Sequence, residues 1–392
     1  MPNKHFCIQP FVNVTTRIKG QNNVCCNINL KDSNIRNESP ANFFRSDKVK
    51  DMQTSLLQGK TRKECGLCWY QEKKAGYSHR TEYNKYYNIK NDQHNDYYEK
   101  ILKKLRISKL KNPLYFEFHI SNLCNLKCLT CNERDSSRFH AENKVLGVSE
   151  DKDANYAILD ETKIQALKSA ITDDLLFLDI RGGETMMVPE VKKVLLEVDS
   201  QKAKNITLKI QTNGTILPDK AWTKIFKKFK RTKINVSIDA FGDDNHYVRY
   251  PSDWNKIMTT IEYLKANKIK FLINTVVSNL NIMILDRLFN WIQENNYPNY
   301  FYLLYGPNMF KPNNLPKDLL DIAKKRLQNV KMQFVNKDCN KQLSDLINLC
   351  DNPDMKGDWE GFCKEIQMRD NYRKNSITSI MPEVKEYMNA KV

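Results

Sequence analysis

Residues 114–131 read LYFEFHISNLCNLKCLTC and decide how the chain is interpreted. The run from Leu114 to Ile120 is short, apolar and rich in aromatic residues, which is typical of a buried strand. The loop that follows carries three cysteines within eight residues: Cys124, Cys128 and Cys131. The sequence therefore predicts three thiols at the end of a strand.

Three thiolates suit a particular kind of metal site. A cubane 4Fe-4S cluster has four irons, so three cysteine ligands leave one iron open to an external chelator. A zinc site or three buried cysteines are the structural alternatives. The close spacing of only three cysteines favours the cluster over these alternatives. The open iron is then where chemistry can take place.

Strand-like and helical patterns alternate after this loop. Helices are predicted near 189–199, 218–230, 253–266 and 283–294. The strands are predicted at Leu114–Ile120, Leu175–Ile180, Ile206–Gln211, Ile234–Ile238, Phe271–Val277 and Tyr300–Leu304. Six strand-helix units indicate an α/β fold with a parallel sheet, in the form of a partial or complete (β/α)6 barrel.

Polar motifs follow the ends of several predicted strands. They are Gly182-Gly183-Glu184, Thr212-Asn213-Gly214 and Asp239. In parallel barrels the site forms at the carboxyl ends of the strands. We therefore expect these residues and the cysteine loop to converge on one rim.

Residues 114–305 resemble the radical S-adenosylmethionine (radical SAM) superfamily, whose signature is C-x3-C-x2-C after the first barrel strand. The family often has an aromatic residue before the third cysteine, where this chain has Thr130. The resemblance implies that S-adenosylmethionine chelates the open iron of a 4Fe-4S cluster. One electron then yields methionine and a 5'-deoxyadenosyl radical, which abstracts a substrate hydrogen.

The resemblance also implies cofactor contacts on the rim. Gly182, Gly183 and Glu184 match the motif that receives the methionine amino group. Asn213, Ser237 and Asp239 match positions that contact the ribose or the methionine carboxylate, and Arg249 is expected to pair with that carboxylate. An ordinary turn and an exposed loop arginine are the alternatives for the glycine motif and for Arg249.

A second cysteine pattern lies near the N-terminus. Cys7, Cys25, Cys65 and Cys68, with Gly20 between the first two, resemble the twitch or SPASM-type auxiliary module, in which four cysteines hold another 4Fe-4S cluster. Such modules normally follow the barrel, whereas this one precedes it, and the cysteines suffice for one auxiliary cluster only. A four-cysteine zinc knob is the alternative. Cys26 is a spare thiol, an alternative ligand or a hydrogen donor.

The patterns divide the chain into four parts. We predict a twitch-like module at 1–85, a linker with a helix at 86–112, the barrel core at 113–305 and a mainly helical region at 306–392. The last part contains Cys339, Cys350 and Cys363, whose spacing matches no cluster motif. Structural thiols are the expected role of these three.

Composition limits the compartment and the partners. The N-terminus lacks a signal-peptide pattern and no apolar stretch is long enough to cross a bilayer, so we expect a cytoplasmic protein without a membrane partner. Eleven cysteines in a reducing compartment favour metal ligation over disulfides. The formal charge of +17 suits a polyanion such as RNA, although basic residues on solvent-exposed helix faces are the stronger explanation.

The substrate is expected to be a peptide or protein, because auxiliary clusters of this type resemble those of peptide-maturing enzymes. A nucleoside, an RNA or a sugar is the alternative substrate. A noncatalytic iron-sulfur protein that transfers electrons or binds RNA is the alternative from another functional class. A flavodoxin- or ferredoxin-like protein is the expected electron donor.

Overall fold

The computed structural model describes residues 2–30, 32–76, 78–91, 93–150, 159–354 and 357–389. The chain divides into two compact units, and each is interleaved in sequence with the other. The first comprises Met1–Leu123, Asn155–Ile210 and Asp219–Thr232. The second comprises Cys124–Ala154, Gln211–Pro218 and Lys233–Val392.

Eight strands are present among the described residues. They are β1 (Asn13–Thr16), β2 (Asn22–Asn23), β3 (Tyr115–His119), β4 (Phe177–Arg181), β5 (Thr207–Thr212), β6 (Arg231–Ser237), β7 (Lys270–Val277) and β8 (Asn299–Leu303). In the first unit the sheet order is β2-β1-β3-β4-β5, and in the second it is β6-β7-β8. Within each unit all neighbours are parallel except β1 and β2.

Helices connect these strands, as parallel pairing requires. They are α1 (Gln9–Val12), α2 (Pro40–Arg45), α3 (Asp47–Leu57), α4 (Gly66–Ala75), α5 (His79–Tyr86), α6 (Asn95–Lys104), α7 (Ser137–Leu146), α8 (Glu161–Ala170), α9 (Pro189–Glu197), α10 (Ser200–Ala203), α11 (Lys220–Lys228), α12 (Asp244–Val248), α13 (Trp254–Ala266), α14 (Leu285–Glu294), α15 (Lys317–Gln328), α16 (Asp338–Leu349), α17 (Trp359–Arg373) and α18 (Lys385–Asn389). The predicted α/β class is confirmed, because each of the six predicted strands is present within a few residues of its expected bounds.

The N-terminal segment contributes a strand that the sequence pattern did not reveal. The strand β1 pairs in parallel with β3, and Asn13 lies opposite Tyr115 while Thr16 lies opposite Phe118. All four β1 residues are buried. A short strand with the polar sequence NVTT lacks the apolar alternation that identifies a strand from sequence. Its pairing partner stabilises it instead.

Residues from the predicted module and the predicted linker share one hydrophobic core in the first unit. The buried members of this core are Phe6, Ile8, Phe11, Val12, Ile89, Tyr98, Leu102 and Ile107. Phe6 stacks on Tyr98 with ring centroids 3.9 Å apart. The helix α3 begins after Ser46, whose side chain accepts a hydrogen bond from the backbone N–H of Val49. The serine cap acts within one turn of the helix, whereas the core joins residues that are distant in sequence.

No helix among the described residues has both the length and the apolar character needed to cross a bilayer. The region after β8 contains the helices α15 to α18. Its three cysteines, Cys339, Cys350 and Cys363, are each buried. Their role as structural thiols stays a prediction.

Candidate active site and cluster cavity

The cysteine loop lies in the second unit and is held at its backbone. The backbone N–H of Lys127 donates to the carbonyl of Tyr250 at 2.6 Å, and that of Leu129 donates to Val248 at 3.1 Å. A further hydrogen bond from the Cys131 N–H to the Cys128 carbonyl, at 3.0 Å, closes a tight turn. The loop is therefore fixed on both sides of Cys128.

The thiols of this loop are difficult to ionise in the absence of a cation. Burial raises the pKa of Cys128, against the opposing effect of Arg249. Burial also raises the pKa of Cys131 well above its usual value, and the nearby Cys128 adds to the rise. Metal ions displace thiol protons and stabilise thiolates. Buried, mutually interacting thiols therefore fit a cluster ligand set.

A single carboxylate anchors the loop to the C-terminal helix α17. Glu142 on α7 accepts charged hydrogen bonds from Lys127 at 2.5 Å, Arg369 at 2.6 Å and Arg373 at 2.7 Å. The Glu142 side chain is fully buried. Three cations on one buried carboxylate form the strongest polar contact of the loop. The sequence analysis missed these contacts, because Arg369 and Arg373 lie 227 and 231 positions after Glu142.

Asn213 follows β5 and contacts the cysteine loop directly. Its side-chain amide donates to Asn125 Oδ1 at 2.8 Å, and Asn125 in turn donates to Thr215 at 2.8 Å. Asn213 Oδ1 accepts a hydrogen bond from the Thr215 backbone N–H at 2.9 Å. The residue therefore holds the backbone next to Cys124. Its predicted contact with the cofactor stays a prediction.

Asp239 and Arg249 form a buried ion pair in the second unit. Arg249 Nη1 lies 2.7 Å from Asp239 Oδ2, and Asp239 Oδ1 accepts the backbone N–H of Val276 at 2.8 Å. Arg249 is thus paired within the chain, where the resemblance implied a cofactor carboxylate. Ser237, at the end of β6, accepts from Gln211 at 2.6 Å.

The glycine motif lies in the first unit, directly after β4. A Cβ on Gly182 would lie 2.5 Å from the carbonyl oxygen of Ser121, and one on Gly183 would lie 2.3 Å from that of Leu123. Gly182 also has a φ of +149°. Both glycines are therefore required for close backbone approach to the segment that leads into Cys124.

Glu184 is fully buried beside these glycines. Its backbone N–H donates to Leu123 at 2.7 Å, and its carboxylate accepts the N–H of Met186 at 3.1 Å. The carboxylate therefore caps the short turn at Thr185–Met187. A contact of Glu184 with a methionine amino group stays a prediction.

The four N-terminal cysteines lie together around one cavity in the first unit. Cys7, Cys25, Cys65 and Cys68 all line it, with Pro10, His79 and Arg80 among the other lining residues. They come from a loop, a turn after β2, and the start of α4. Burial, with the adjacent Cys68, raises the pKa of Cys65 to about 12. The fold thus brings the four cysteines to one cavity, and their role as cluster ligands stays a prediction.

The arrangement of cysteines bears on the kind of metal. Zinc holds four thiolates with sulfurs about 4 Å apart, as follows from a Zn–S bond of about 2.3 Å in a tetrahedron. No group of three or more His, Cys, Asp or Glu side chains in the described ranges is arranged to hold a single metal ion. The four-iron cluster and the zinc knob both stay predictions for this cavity.

Cys26 points away from that cavity, although Cys25 lines it. The Cys26 Sγ lies 3.6 Å from His79 Nδ1. Burial raises the pKa of Cys26 to about 12, and Glu117 contributes to the rise. Cys26 therefore contacts His79 and lies near Glu117, while it does not line the cavity itself.

Those charged side chains are a feature that the sequence analysis did not assign. Tyr115, Glu117 and His119 alternate with Phe116 and Phe118 in the opening stretch, which is a period-two signal. The polar positions contact a second set on β4, Asp179 and Arg181. The alternation was visible in the sequence, but its register with β4 was not.

The chain was compared with known families and proteins. Residues 118–292 match the model of the radical SAM superfamily. The GTP 3',8-cyclase of Clostridium acetobutylicum is 26% identical over 171 residues, which is 43% of this chain and 48% of the relative. A cysteine-type anaerobic sulfatase-maturating enzyme of Clostridium novyi is 25% identical over 185 residues, 45% of this chain and 47% of the relative. The chain thus spans about half the length of the curated relatives it matches.

Solved structures give matches of lower similarity. The structure of anSMEcpe with bound AdoMet has 21% sequence identity and a TM-score of 0.40, covering 54% of this chain and 57% of that one. Streptococcus suis SuiB bound to S-adenosylmethionine has 18% identity and a TM-score of 0.38, covering 70% and 62%.

Proposed function

Because residues 118–292 form a radical SAM domain, we propose that this protein is an enzyme that cleaves S-adenosylmethionine reductively and modifies a peptide or protein. Cys124, Cys128 and Cys131 hold the 4Fe-4S cluster that binds this cofactor. Cys7, Cys25, Cys65 and Cys68 hold a second, fully ligated 4Fe-4S cluster. A flavodoxin- or ferredoxin-like protein supplies electrons.

One observation carries the proposal beyond the family, namely the single cavity that all four N-terminal cysteines line. Cys7 and Cys68 are 61 positions apart in sequence, yet the folded chain brings them to one place. Four thiols around one cavity form a possible ligand set for a metal cluster. A second cluster accounts for it, and such clusters accompany peptide-modifying radical enzymes.

The chain's own residues give each cofactor its setting. S-adenosylmethionine with a reduced cluster supplies the radical chemistry. Gly182 and Gly183 let the backbone pass close to the loop that leads into Cys124. Asn213 and Arg373 hold that loop through Asn125 and Lys127. Asp239 and Arg249 place a buried charge pair beside Cys128.

The test is an iron count on the anaerobically reconstituted full chain. We expect about eight irons per chain, from two four-iron clusters, and production of 5'-deoxyadenosine under reducing conditions. Changing Cys124, Cys128 and Cys131 together to Ala is expected to leave about four irons and no cofactor cleavage. Cys65→Ala with Cys68→Ala is expected to leave about four irons while cofactor cleavage persists.

The matched control for these variants is Cys363→Ser. Cys363 is a buried cysteine in α17 that belongs to neither proposed set of cluster ligands. The variant is expected to keep the full iron content. Loss of zinc instead of iron in the Cys65→Ala, Cys68→Ala variant would support the zinc knob. Unchanged iron in the triple variant would refute the assignment of the first cluster.

A nucleotide or RNA substrate is the second candidate. Two observations favour it: the similarity to GTP 3',8-cyclases and the formal charge of +17. Binding to RNA through phosphates weakens steeply with salt, by roughly a thousandfold or more between 50 and 200 mM for six or more contacts. Salt-sensitive retention on immobilised RNA, with no retention on peptide, would favour this candidate. A noncatalytic protein would produce no 5'-deoxyadenosine.

A further inference from the structure

The strands β3, β4 and β5 have one apolar face and one charged face. The apolar face is fully buried and consists of Phe116, Phe118, Leu178, Ile180, Leu208 and Ile210. On the other face the register sets Glu117 beside Asp179 and His119 beside Arg181. Asp179 is in turn beside Lys209. Charged groups at successive inner positions of three parallel strands are costly to bury, so they indicate a polar function.

The hydrogen bonds of Asp179 are filled by the chain itself. Its oxygens accept from Arg181 Nε at 3.1 Å and Nη2 at 2.9 Å, and from the Tyr115 hydroxyl at 2.5 Å. Lys209 Nζ donates to the Tyr115 hydroxyl at 3.0 Å. Asp179 is therefore a support for Arg181 and has no free oxygen to offer a ligand.

Glu117 orients His119. The His119 Nε2 atom lies 2.7 Å from Glu117 Oε1, and Glu117 is 1% exposed. Burial alone would raise the pKa of Glu117, but the positive charge of Arg181 and the hydrogen bond from His119 lower it overall. An ionised carboxylate only accepts, so Nε2 carries a proton, and in the matching neutral tautomer of the ring the lone pair lies on Nδ1. Nδ1 has no hydrogen bond to any described residue.

Arg181 keeps one donor group for a ligand. Its Nε and Nη2 atoms are used by Asp179, while Nη1 makes no hydrogen bond within the described residues. The Arg181 side chain is 32% exposed, whereas the side chains of Glu117 and Asp179 beside it are 2% exposed. Arg181 and His119 are the last residues of β4 and β3. Sites in parallel α/β proteins form at this end of the strands.

The N-terminal segment covers part of the charged face. Tyr83 on α5 packs edge-on against Tyr115 with ring centroids 6.0 Å apart, and His79 packs against Tyr83 at 4.6 Å. Burial lowers the pKa of His79 to about 4, so His79 is neutral near pH 7. His79 also lines the four-cysteine cavity. The charged face and that cavity therefore share a wall.

We propose that Arg181 and His119 bind the substrate peptide, with Arg181 Nη1 donating a hydrogen bond to a carbonyl oxygen and His119 Nδ1 accepting one from an adjacent N–H, O–H or S–H group. This inference rests on the proposed function and names its substrate site. No covalent bond changes on binding, and Glu117 holds the imidazole ring in the orientation that presents Nδ1.

A peptide fits this pair of groups better than a phosphate does. A peptide amide has an oxygen acceptor and an N–H donor on neighbouring atoms, which complement the Arg181 donor and the His119 lone pair. Ionised phosphate oxygens are acceptors only, so they would leave Nδ1 facing another lone pair.

The test measures acylation of His119 by diethyl pyrocarbonate, which modifies accessible, unprotonated imidazole nitrogens. The full chain is used with both clusters reconstituted and S-adenosylmethionine present. Trypsin then releases residues 112–127 and 234–249, which contain His119 and His246 as their only histidines. His246 is the internal control, because it is exposed and its Nδ1 contacts only the Ser252 carbonyl, at 2.9 Å.

The probe is a pool of N-acetylated, C-amidated tripeptides. We expect the pool to slow labelling of His119 about tenfold at roughly ten times its dissociation constant, with His246 unaffected. Arg181→Gln is expected to abolish that protection. Arg287→Gln is the matched control, because Arg287 also pairs with an aspartate, Asp244, at 2.6 Å, and it is expected to keep the protection.

Several outcomes would overturn the inference. They are a His119 that is not labelled, a pool that gives no protection, and an Arg181→Gln variant that is still protected. Protection by GTP but not by the tripeptides would also refute it, in favour of a nucleotide. Cofactor cleavage is measured on the same preparation, so cleavage without protection refutes this site alone. Protection without cleavage refutes the proposed enzymatic function instead.

Discussion

Arg373 donates a hydrogen bond from Nη2 to the carbonyl oxygen of Lys127, at 2.8 Å. Lys127 lies between two of the three cysteines of the loop, and Arg373 is the last residue of α17. The guanidinium of Arg373 also packs over the ring of Tyr250, whose carbonyl accepts the Lys127 N–H. Helix α17 thus holds the backbone of the cysteine loop, although no motif in the sequence of α17 indicates this role.

Arg373→Ala is expected to weaken retention of the first cluster, because the loop loses a charged hydrogen bond to its backbone. The measurement is iron and sulfide per chain after gel filtration, with the N-terminal cluster removed by Cys65→Ala and Cys68→Ala. Arg326→Ala is the control, since Arg326 also donates to a backbone carbonyl, that of Met283, at 2.9 Å. Equal iron retention in the two variants would contradict this role.

Glu142→Gln is expected to destabilise the protein by about 3–5 kcal/mol, the usual cost of removing one partner from a buried ion pair. Arg369, Arg373 and Lys127 would then lie close together without their counter-charge. Urea unfolding of the metal-free chain measures this change. A loss below about 1 kcal/mol is typical of exposed ion pairs and would show that Glu142 and its three cations are solvated.

The same carboxylate predicts a pH dependence. Burial tends to raise the pKa of Glu142, but Arg373 and Lys127 outweigh it and lower the pKa below its usual value. The stabilisation is therefore complete above the unfolded pKa of about 4.3 and is lost as the pH falls through the lower folded pKa. The stability difference between wild type and Glu142→Gln should shrink below about pH 4 and stay constant above pH 6.

Gly183→Ala is expected to disrupt the approach to the cluster loop, because the new Cβ would lie 2.3 Å from the Leu123 carbonyl oxygen. Backbone on both sides must shift, so binding of S-adenosylmethionine should weaken by tenfold or more, or about 1.4 kcal/mol. Equilibrium dialysis of the reconstituted chain measures the affinity. Gly306→Ala is the control, since no atom lies within 4 Å of its added Cβ.

Cys25→Ser and Cys26→Ser are adjacent changes with different expected results. Cys25 lines the four-cysteine cavity, whereas Cys26 faces His79. We expect Cys25→Ser to lose iron from the second cluster and Cys26→Ser to keep about eight irons per chain. Iron analysis with electron paramagnetic resonance of the reduced protein distinguishes the two. Iron loss from Cys26→Ser alone would make Cys26 the ligand.

Arg249→Met is expected to cost about 3–5 kcal/mol, because Asp239 would be left buried and unpaired. Replacing both members, with Asp239→Asn added, is expected to be milder than the single change, since no uncompensated charge remains. Urea unfolding of the metal-free single and double variants compares them. A double variant that is less stable than Arg249→Met would show that Arg249 is not the main partner of Asp239.

The sequence was sufficient where a signal is local. The six strands from β3 to β8 and helix α3 follow from apolar periodicity and a serine cap, which act within one turn or one strand. The spacing of Cys124, Cys128 and Cys131 predicts a ligand set, and this assignment stays a prediction. Even the grouping of Cys7, Cys25, Cys65 and Cys68 was predicted, because its pattern resembles a known module.

Only the tertiary structure decided the contacts between distant positions. It selected Cys25 over Cys26 for the cavity, paired β1 with β3, and brought Glu142 to Arg369 and Arg373. It also set His119 beside Arg181 in register. Local patterns state which residues are apolar, polar or able to bind metal. Which of them meet depends on how strands and helices pack, and the cost of burying an unpaired charge then fixes each partner.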